Sequence, residues 1–244
     1  MNIILCGAAG RMGAYVREVA AETETTHIVA AIDPHGGDSM LKDIAAYTDG
    51  ADAIIDFSHH AAVESLLPYA EKHGIPAVIA TTGHTIPEVA AIRRASETIP
   101  VFYSANMSVG VALLSELARR VMTFFPDADV EIVERHRRGK LDAPSGTALM
   151  LARAMADERK NAVFLAGRKG HHRAEPNEIG IHSLRIGDAV GDHEITIAAK
   201  DETLILRHEA HDRRLFARGA LKAAAFLSGK PPGLYSVSDM LLSF

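Results

Sequence analysis

The sequence predicts an α/β chain in two parts, an N-terminal doubly wound parallel sheet followed by a smaller α+β C-terminal domain. Three observations carry this prediction. Through residue 106, short continuously apolar runs alternate with stretches of helical spacing, the pattern of strands buried on both faces by the helices between them. A glycine-rich turn stands between the first apolar run and the first helix. Beyond residue 106 the rhythm changes, and three strand-like runs follow one another with no helix between them.

Taken in order, NIILC (residues 2–6) is a strand ending at Gly7, and RMGAYVREVAAE (11–22) has helical spacing. HIVAAID (27–33) is the second strand. ADAIIDFS (51–58), PAVIATTG (76–83) and PVFYSAN (100–106) supply three more, separated by the amphipathic stretches AAVESLLPYAEKHG (61–74) and IPEVAAIRRASE (86–97). A long helix, VGVALLSELARRVMTFF (109–125), leads into ADVEIVERH (128–136), whose alternation suits a half-exposed strand. SGTALMLARAMADE (145–158) is helical. IHSLRI (181–186), DHEITIAAK (192–200) and TLILRHEA (203–210) follow directly and are expected to pair antiparallel. RRLFARGALKAAAFLSGK (213–230) is a last helix stopped by Pro231-Pro232-Gly233, and periodicity does not say which domain it joins. There are no internal repeats and no low-complexity segments.

A chain of 244 residues buries a real core as one large or two small domains, and 48% apolar with 23% charged residues is ordinary for a globular protein. With 26 basic and 31 acidic side chains the formal charge is −5 and the pI about 6.2, so the molecule repels a polyanion, which counts against nucleic acid. A single cysteine, Cys6, excludes an internal disulfide framework and a cysteine-based zinc cluster, and fits a reducing cytoplasm. The opening MNIILCGAAGRMG has no basic leader and no run long enough to cross a bilayer, so it is read as strand rather than signal, with no membrane partner expected. The pairs His59/His60 and His171/His172 are adjacent, not four apart on one helical face, and no metal site is expected.

GAAGRMG (7–13) spaces its glycines G-x-x-G-x-x-G. Gly7 makes the turn, Gly10 lets backbone approach a pyrophosphate, and Gly13 allows close packing of helix on strand, with the phosphate charge at the helix start. The candidate contacts are Gly7, Ala8, Ala9, Gly10, Arg11 and Met12. Asp33 ends the second strand about 20 residues further on, where a carboxylate bonds a ribose diol. An acid there favours NADH over NADPH modestly, because Arg11 and His35 lie near enough in sequence to offset its repulsion of a 2′-phosphate. Ala80, Thr81 and Thr82, with Ser104, Ala105, Asn106 and Met107, put small polar residues at the carboxyl ends of the fourth and fifth strands. There they are candidate walls for nicotinamide and its ribose.

ERHRRGKLDAPSGTAL (134–149) packs five basic side chains, Arg135, His136, Arg137, Arg138 and Lys140, just before a helix whose N-cap is Ser145. Helix-start N–H groups at Gly146 and Thr147 with Arg137 and Lys140 nearby make an anion trap for a small carboxylate or phosphate. Arg135 and Arg138 read as solvated charge.

E-R-H-x-x-x-K-x-D-A-P-S-G-T-A resembles the signature of the 4-hydroxy-tetrahydrodipicolinate reductase family, the older dihydrodipicolinate reductase, of lysine and diaminopimelate biosynthesis. The resemblance runs the whole chain, through GAAGRMG, DFS (56–58), ATTG, SANMSVGV, LRIGDAVGDHEI (184–195) and FARGAL (216–221). It implies a Rossmann-type domain over 1–106, rejoined by the C-terminal helix region 213–244. It also implies a substrate-binding domain over 107–212 whose open mixed sheet builds a homotetramer. The activity implied is NAD(P)H-dependent reduction of 4-hydroxy-tetrahydrodipicolinate, via dihydrodipicolinate, to tetrahydrodipicolinate, using NADH and/or NADPH. By the same resemblance His136 and Lys140 are the acid and base, and Gly146 and Thr147 bind the substrate dicarboxylate. Arg137 stands where the family commonly has a second histidine. It retains the ability to clasp a carboxylate but loses any proton-donating role. Gly139 replaces a position often polar, and Met107 one that is often Phe. Two alternatives stay open at this point. One is a nicotinamide-dependent reductase of another small anionic imino or oxo acid. The other is an NADH-sensing regulatory protein, for which the chain after residue 106 lacks a helix-turn-helix pattern.

Overall fold

The computed structural model describes residues 1–171 and 173–242; His172, the second member of one histidine pair, and residues 243 and 244 lie outside the described residues. In chain order the elements are β1 (Asn2–Cys6), α1 (Arg11–Ala21), β2 (His27–Ile32), β3 (Ala53–Asp56), α2 (Val63–His73), β4 (Ala77–Ile79), α3 (Ile86–Ala95) and β5 (Pro100–Tyr103). Then come α4 (Val109–Phe124), β6 (Asp129–His136), α5 (Gly146–Ala156), β7 (Val163–Ala166), β8 (Glu178–Arg185), β9 (Gly191–Ala198), β10 (Thr203–Ala210), α6 (Arg214–Leu227), β11 (Gly233–Tyr235) and α7 (Val237–Leu241). They divide into two compact units, Met1–Ser108 with Arg213–Phe244, and Val109–Asp212.

The first unit is a six-stranded sheet in the order β11-β5-β4-β3-β1-β2, parallel throughout. Its central strands are apolar on both faces because both are covered. Ile3, Ile4, Leu5, Ile54, Ile55, Val78, Ile79, Val101 and Phe102 have no exposed surface. The helix ends follow local chemistry. Thr85 and Glu88 close a capping box at the start of α3, and α2 ends on Gly74 in the left-handed region at φ 64°. β2 lies on one side of β1 and every later strand on the other, so the chain reverses its direction of travel between β1 and β3. Loops that leave the carboxyl ends of those two strands diverge and open a crevice. β11 and α7 have no counterpart in the expected element list. β11 is three residues long and pairs parallel with β5, too short a run to stand out by periodicity.

The second unit is a five-stranded mixed sheet, β10-β9-β6-β8-β7. The expectation that the three successive strands pair antiparallel is corrected here. β9 and β10 do so, but β8 lies parallel to β6 and to β7, and β6 separates β8 from β9. The reason is reach. Residues 186–190 pass over the end of β6, a gap of two strand spacings or about 9.5 Å, which five residues span easily. β7, also absent from the expectation, is a largely exposed edge strand without alternation.

Alternation sorts each strand of this sheet into two faces. Val130, Ile132, Ile179, Ile181, Ile195 and Ile197 face the helix side and form one core with Leu114, Ala118, Met122, Leu151 and Met155 of α4 and α5. On the same face, further along the strands, the row changes from apolar to polar. His208, His193, Glu134 and Ser183 stand side by side on β10, β9, β6 and β8, with His136 opposite Arg185 one step beyond. The opposite face, with Glu131, Val133, Leu184, Thr196 and Ile205, is not part of that core.

Candidate active site and cofactor cleft

In the first unit the glycine turn sits at the crevice that the strand order predicts. Gly7 has φ 76°, and a Cβ there would lie 2.6 Å from the Phe57 backbone, so the residue must be glycine on both counts. A Cβ on Gly13 would overlap the Gly7 carbonyl, which makes Gly13 the packing glycine of the turn, while Gly10 has only a 3.2 Å approach to the same oxygen. Gly10 is the N-cap of α1 and supplies no side-chain cap to the first turn of the helix, where the backbone N–H groups favour an anion. Ala8 is fully buried and offers backbone only.

Asp33 follows the end of β2. Its Oδ2 accepts from Ala9 N–H at 3.0 Å and its Oδ1 from His35 N–H at 2.9 Å, which ties the end of β2 to the glycine turn. Asp33 and His35 line a cleft of about 560 Å³ with Gly7, Gly10, Phe57, Ser58 and Lys42. The donors and the space suit the adenosine and pyrophosphate part of a dinucleotide. Lys42 was not among the expected contacts. It comes nine positions after Asp33, beyond any local motif, and its ammonium is tethered to the Gly36 carbonyl. Arg11 does not line this cleft, whereas His35 does.

The two small-residue loops stand at the same edge of the same sheet, because β4 and β5 are parallel neighbours with Ile79 opposite Tyr103. Thr81 turns inward: its hydroxyl donates to buried Asp56 at 3.2 Å and meets His84 Nε2 at 3.0 Å. Burial pushes the Asp56 carboxyl up, against hydrogen bonds from Ser58 and Thr81. The Ser104 hydroxyl donates to the Asn106 carbonyl at 2.8 Å and shapes the turn that holds Ala105. Met107 is 3% exposed, with its carbonyl against Gly219 of α6, so its side chain belongs to the core. Ala80 is buried as well, which leaves Thr82 as the exposed one of Ala80, Thr81 and Thr82.

In the second unit the signature residues converge on Glu134, which has no exposed surface. Its Oε2 takes His136 Nδ1 at 2.5 Å and Arg185 Nη1 at 2.9 Å; its Oε1 takes Arg185 Nη2 at 2.9 Å and the Ser145 amide at 3.1 Å. Burial alone would raise its pKa, but hydrogen bonds from His136, Arg185 and Ser183 outweigh burial and hold it at about 2. Ser145 also caps α5, accepting from Ala148 N–H at 3.1 Å, so the carboxylate fixes both His136 and the start of the helix at Gly146 and Thr147. His193 Nε2 meets the Ser145 hydroxyl at 3.2 Å, and its ring lies edge-on to His136 with centroids 5.3 Å apart. Burial, then the charge of His136, press its pKa down to about 4, so His193 is neutral at pH 7.

Lys140 reaches the same cluster through its loop. Its ammonium pairs with Asp142 at 2.9 Å, and Arg185 donates to the Asp142 carbonyl at 2.6 Å. Arg137 is exposed, with its Nη1 folded over Gly139. The structure thus gathers His136, Lys140, Gly146 and Thr147 around Glu134 and Arg185, and leaves Arg137 on the rim. Glu134, Arg185 and His193 were quoted within motifs but given no role. Only the cross-strand register shows that they share one face with His136.

Two family descriptions match the chain, "Dihydrodipicolinate reductase, N-terminus" over residues 1–107 and "Dihydrodipicolinate reductase, C-terminus" over residues 110–241. The chain belongs to the dihydrodipicolinate reductase family. It is 38% identical to the 4-hydroxy-tetrahydrodipicolinate reductase of Clostridium novyi over 248 residues, covering 99% of this chain and 98% of the relative. Its counterpart in Caldanaerobacter subterraneus is 40% identical with the same coverage, and that of Rickettsia africae 41% with 98% of each chain covered. Among solved structures, a dipicolinate-bound dihydrodipicolinate reductase from Paenisporosarcina superposes with a TM-score of 0.78 over 97% of both chains at 22% identity, which shows the shared fold. As a member of this reductase family the chain is an NAD(P)H-dependent oxidoreductase of lysine and diaminopimelate biosynthesis.

Proposed function

We propose that this family member reduces 4-hydroxy-tetrahydrodipicolinate, via dihydrodipicolinate, with His136, Lys140, Arg137, Gly146 and Thr147 acting on the substrate. In this reading the cleft of the first unit holds the dinucleotide and Val109–Asp212 is the substrate domain. The observation that carries it is the cluster on Glu134, which places a histidine, a lysine and a capped helix start within one hydrogen-bonded set.

Overall one hydride and one proton are added to the ring and one water is lost. When bound, the reduced nicotinamide supplies the hydride. Gly7, Ala8, Ala9, Gly10, Arg11 and Met12 hold its pyrophosphate, Asp33 its adenosine ribose, and the loops of Ala80, Thr81 and Thr82 and of Ser104, Ala105, Asn106 and Met107 the nicotinamide half. Gly146 and Thr147 receive one substrate carboxylate at the start of α5, where the helix dipole favours negative charge. Lys140 receives the other by exchanging its exposed partner Asp142 for a substrate oxygen, and Arg137 closes on the dianion from the rim. Reduction puts electron density on the ring nitrogen or its conjugated carbon, and a proton from the His136–Lys140 pair completes it. That a Paenisporosarcina relative of the same fold was captured with dipicolinate, a flat ring with two carboxylates, supports this division of labour.

The reading extends to a homotetramer built on the open face of the five-stranded sheet and to a cytoplasmic location. Among the described residues no helix is long and apolar enough to cross a membrane. The test is oxidation of NADH and of NADPH in parallel, with enzymatically generated 4-hydroxy-tetrahydrodipicolinate and a panel of other small oxo and imino acids. Turnover with the dipicolinate precursor far above every panel member is expected; a better panel substrate would replace the reading. His136→Gln should lose most of kcat with cofactor affinity unchanged.

A further inference from the structure

Glu134 is a buried carboxylate saturated with donors, and one of them is a ring nitrogen of His136. We propose, on the reading above, that Glu134 is a positioning residue, clamped by Arg185 and the Ser145 amide, that fixes the proton of His136 on Nδ1 and makes Nε2 the atom that gives its proton to the reduced substrate.

Lone pairs decide the tautomer. An ionised carboxylate only accepts hydrogen bonds, so the Nδ1 that faces it at 2.5 Å must carry hydrogen. The carboxylate cannot turn away, because Arg185 grips both oxygens in a fork at 2.9 Å each and Ser145 N–H holds Oε1 at 3.1 Å. The ring cannot exchange its two nitrogens without breaking the 2.5 Å bond. Nε2 is left on the other edge, next to Gly191, where a Cβ would stand 3.0 Å from it; the missing side chain keeps that edge open. The groups that face the ring come from every strand around it: Glu134 on β6, Arg185 on β8 and His193 on β9. His193 does not compete as donor, since burial keeps it neutral and its Nε2 is occupied by the Ser145 hydroxyl. The Lys140 ammonium, paired with Asp142 here, is the cation that the substrate reading turns to a carboxylate.

The proton balance is simple. With both nitrogens protonated, His136 releases the Nε2 proton to the reduced ring and becomes a neutral imidazole that still donates from Nδ1 to Glu134. A solvent proton on Nε2 then restores it. The carboxylate that accepts from Nδ1 keeps that hydrogen in place, so the proton that leaves is the one on Nε2.

The test reads the tautomer directly and then removes its cause. In ¹⁵N-histidine NMR of the full chain without substrate, the His136 ring should show hydrogen on Nδ1 throughout neutral pH; a neutral ring protonated on Nε2 instead would overturn the proposal before any variant is made. Glu134→Gln presents an amide to Nδ1. It should move the proton to Nε2 and lower kcat about 10²–10⁴-fold, with substrate KM changed less than about threefold. Glu134→Asp, which keeps the charge, should retain the Nδ1 proton and recover part of kcat. A folded Glu134→Gln with wild-type kcat and tautomer would refute the positioning role, even if His136→Gln is inactive. Absence of turnover by the wild-type protein would instead refute the substrate reading and leave the tautomer result standing.

Discussion

Arg137 and Gly139, the two departures from the family pattern within the basic loop, are sterically joined. A Cβ at position 139 would lie 2.8 Å from Arg137 Nη1, and the exposed guanidinium would shift to admit it. If Arg137 clasps the substrate from there, Arg137→Ala should raise substrate KM about tenfold with kcat little changed. Gly139→Ala should reproduce part of that rise, and the double variant should show less than the sum of the two in free energy. Additive effects in steady-state kinetics would separate the two residues. Cofactor choice is also set by single side chains. Asp33 lines the cleft, and Lys42 brings positive charge to the same walls. Lys42→Ala should therefore raise KM for NADPH several-fold more than for NADH, and Asp33→Ala should do the reverse. Asp33 was legible because the motif fixes its spacing. Lys42 was not, because a long turn after β2 delivers it.

The glycine turn and the start of α5 are the elements on which both sites rest. Gly13 and Gly10 are equivalent in the motif but not in space: a Cβ overlaps the Gly7 carbonyl at the first and stands 3.2 Å from it at the second. Gly13→Ala should destabilise the chain by about 1–3 kcal/mol in denaturant melts and abolish NADH binding, whereas Gly10→Ala should leave stability nearly intact and weaken NADH alone. At α5, Ser145 caps the helix, anchors Glu134 and touches His193. The cap alone makes Ser145→Ala cost about 1 kcal/mol. The helices were readable because their burial is periodic in sequence, and the central strands because they are short, continuously apolar runs. The pairing of β8 was not, since a strand's two edges look alike until the crossover through α5 and the short 186–190 connection decide which neighbour each receives.

For the molecule as a whole, the buried polar row makes stability depend on acid in two stages. His193 has a folded pKa of about 4, below its unfolded value, so the unfolded chain binds its proton first, and stability falls as pH drops from about 6.5 to 4. Glu134 has a folded pKa of about 2, again below the unfolded value, so its contribution is complete above about 4.5 and is lost as pH falls towards 2. Each stage is on the order of 2–3 kcal/mol. Thermal melts between pH 7 and 3 should show both, and His193→Gln should flatten the first while leaving the second. At the same scale, Ile205 is 62% exposed on the face of the mixed sheet opposite the core. If that face builds the homotetramer, Ile205→Glu should lower the mass seen by light scattering.

The sequence by itself determined the local parts of this protein: the alternation of strand and helix, the glycine turn with Asp33, and the signature that sets His136, Lys140 and the Ser145 cap on one stretch of chain. These are legible because residues within a few positions of one another constrain each other through backbone geometry and period. Only the tertiary structure decided that β6 lies between β8 and β9, that β11 pairs with β5 at the edge of the first sheet, and that Glu134, Arg185 and His193 surround His136. Strand register is the physical reason. It brings together residues 49 and 59 positions apart, His136 with Arg185 at one level and Glu134 with His193 at the next, by hydrogen bonds that leave no mark on either segment alone.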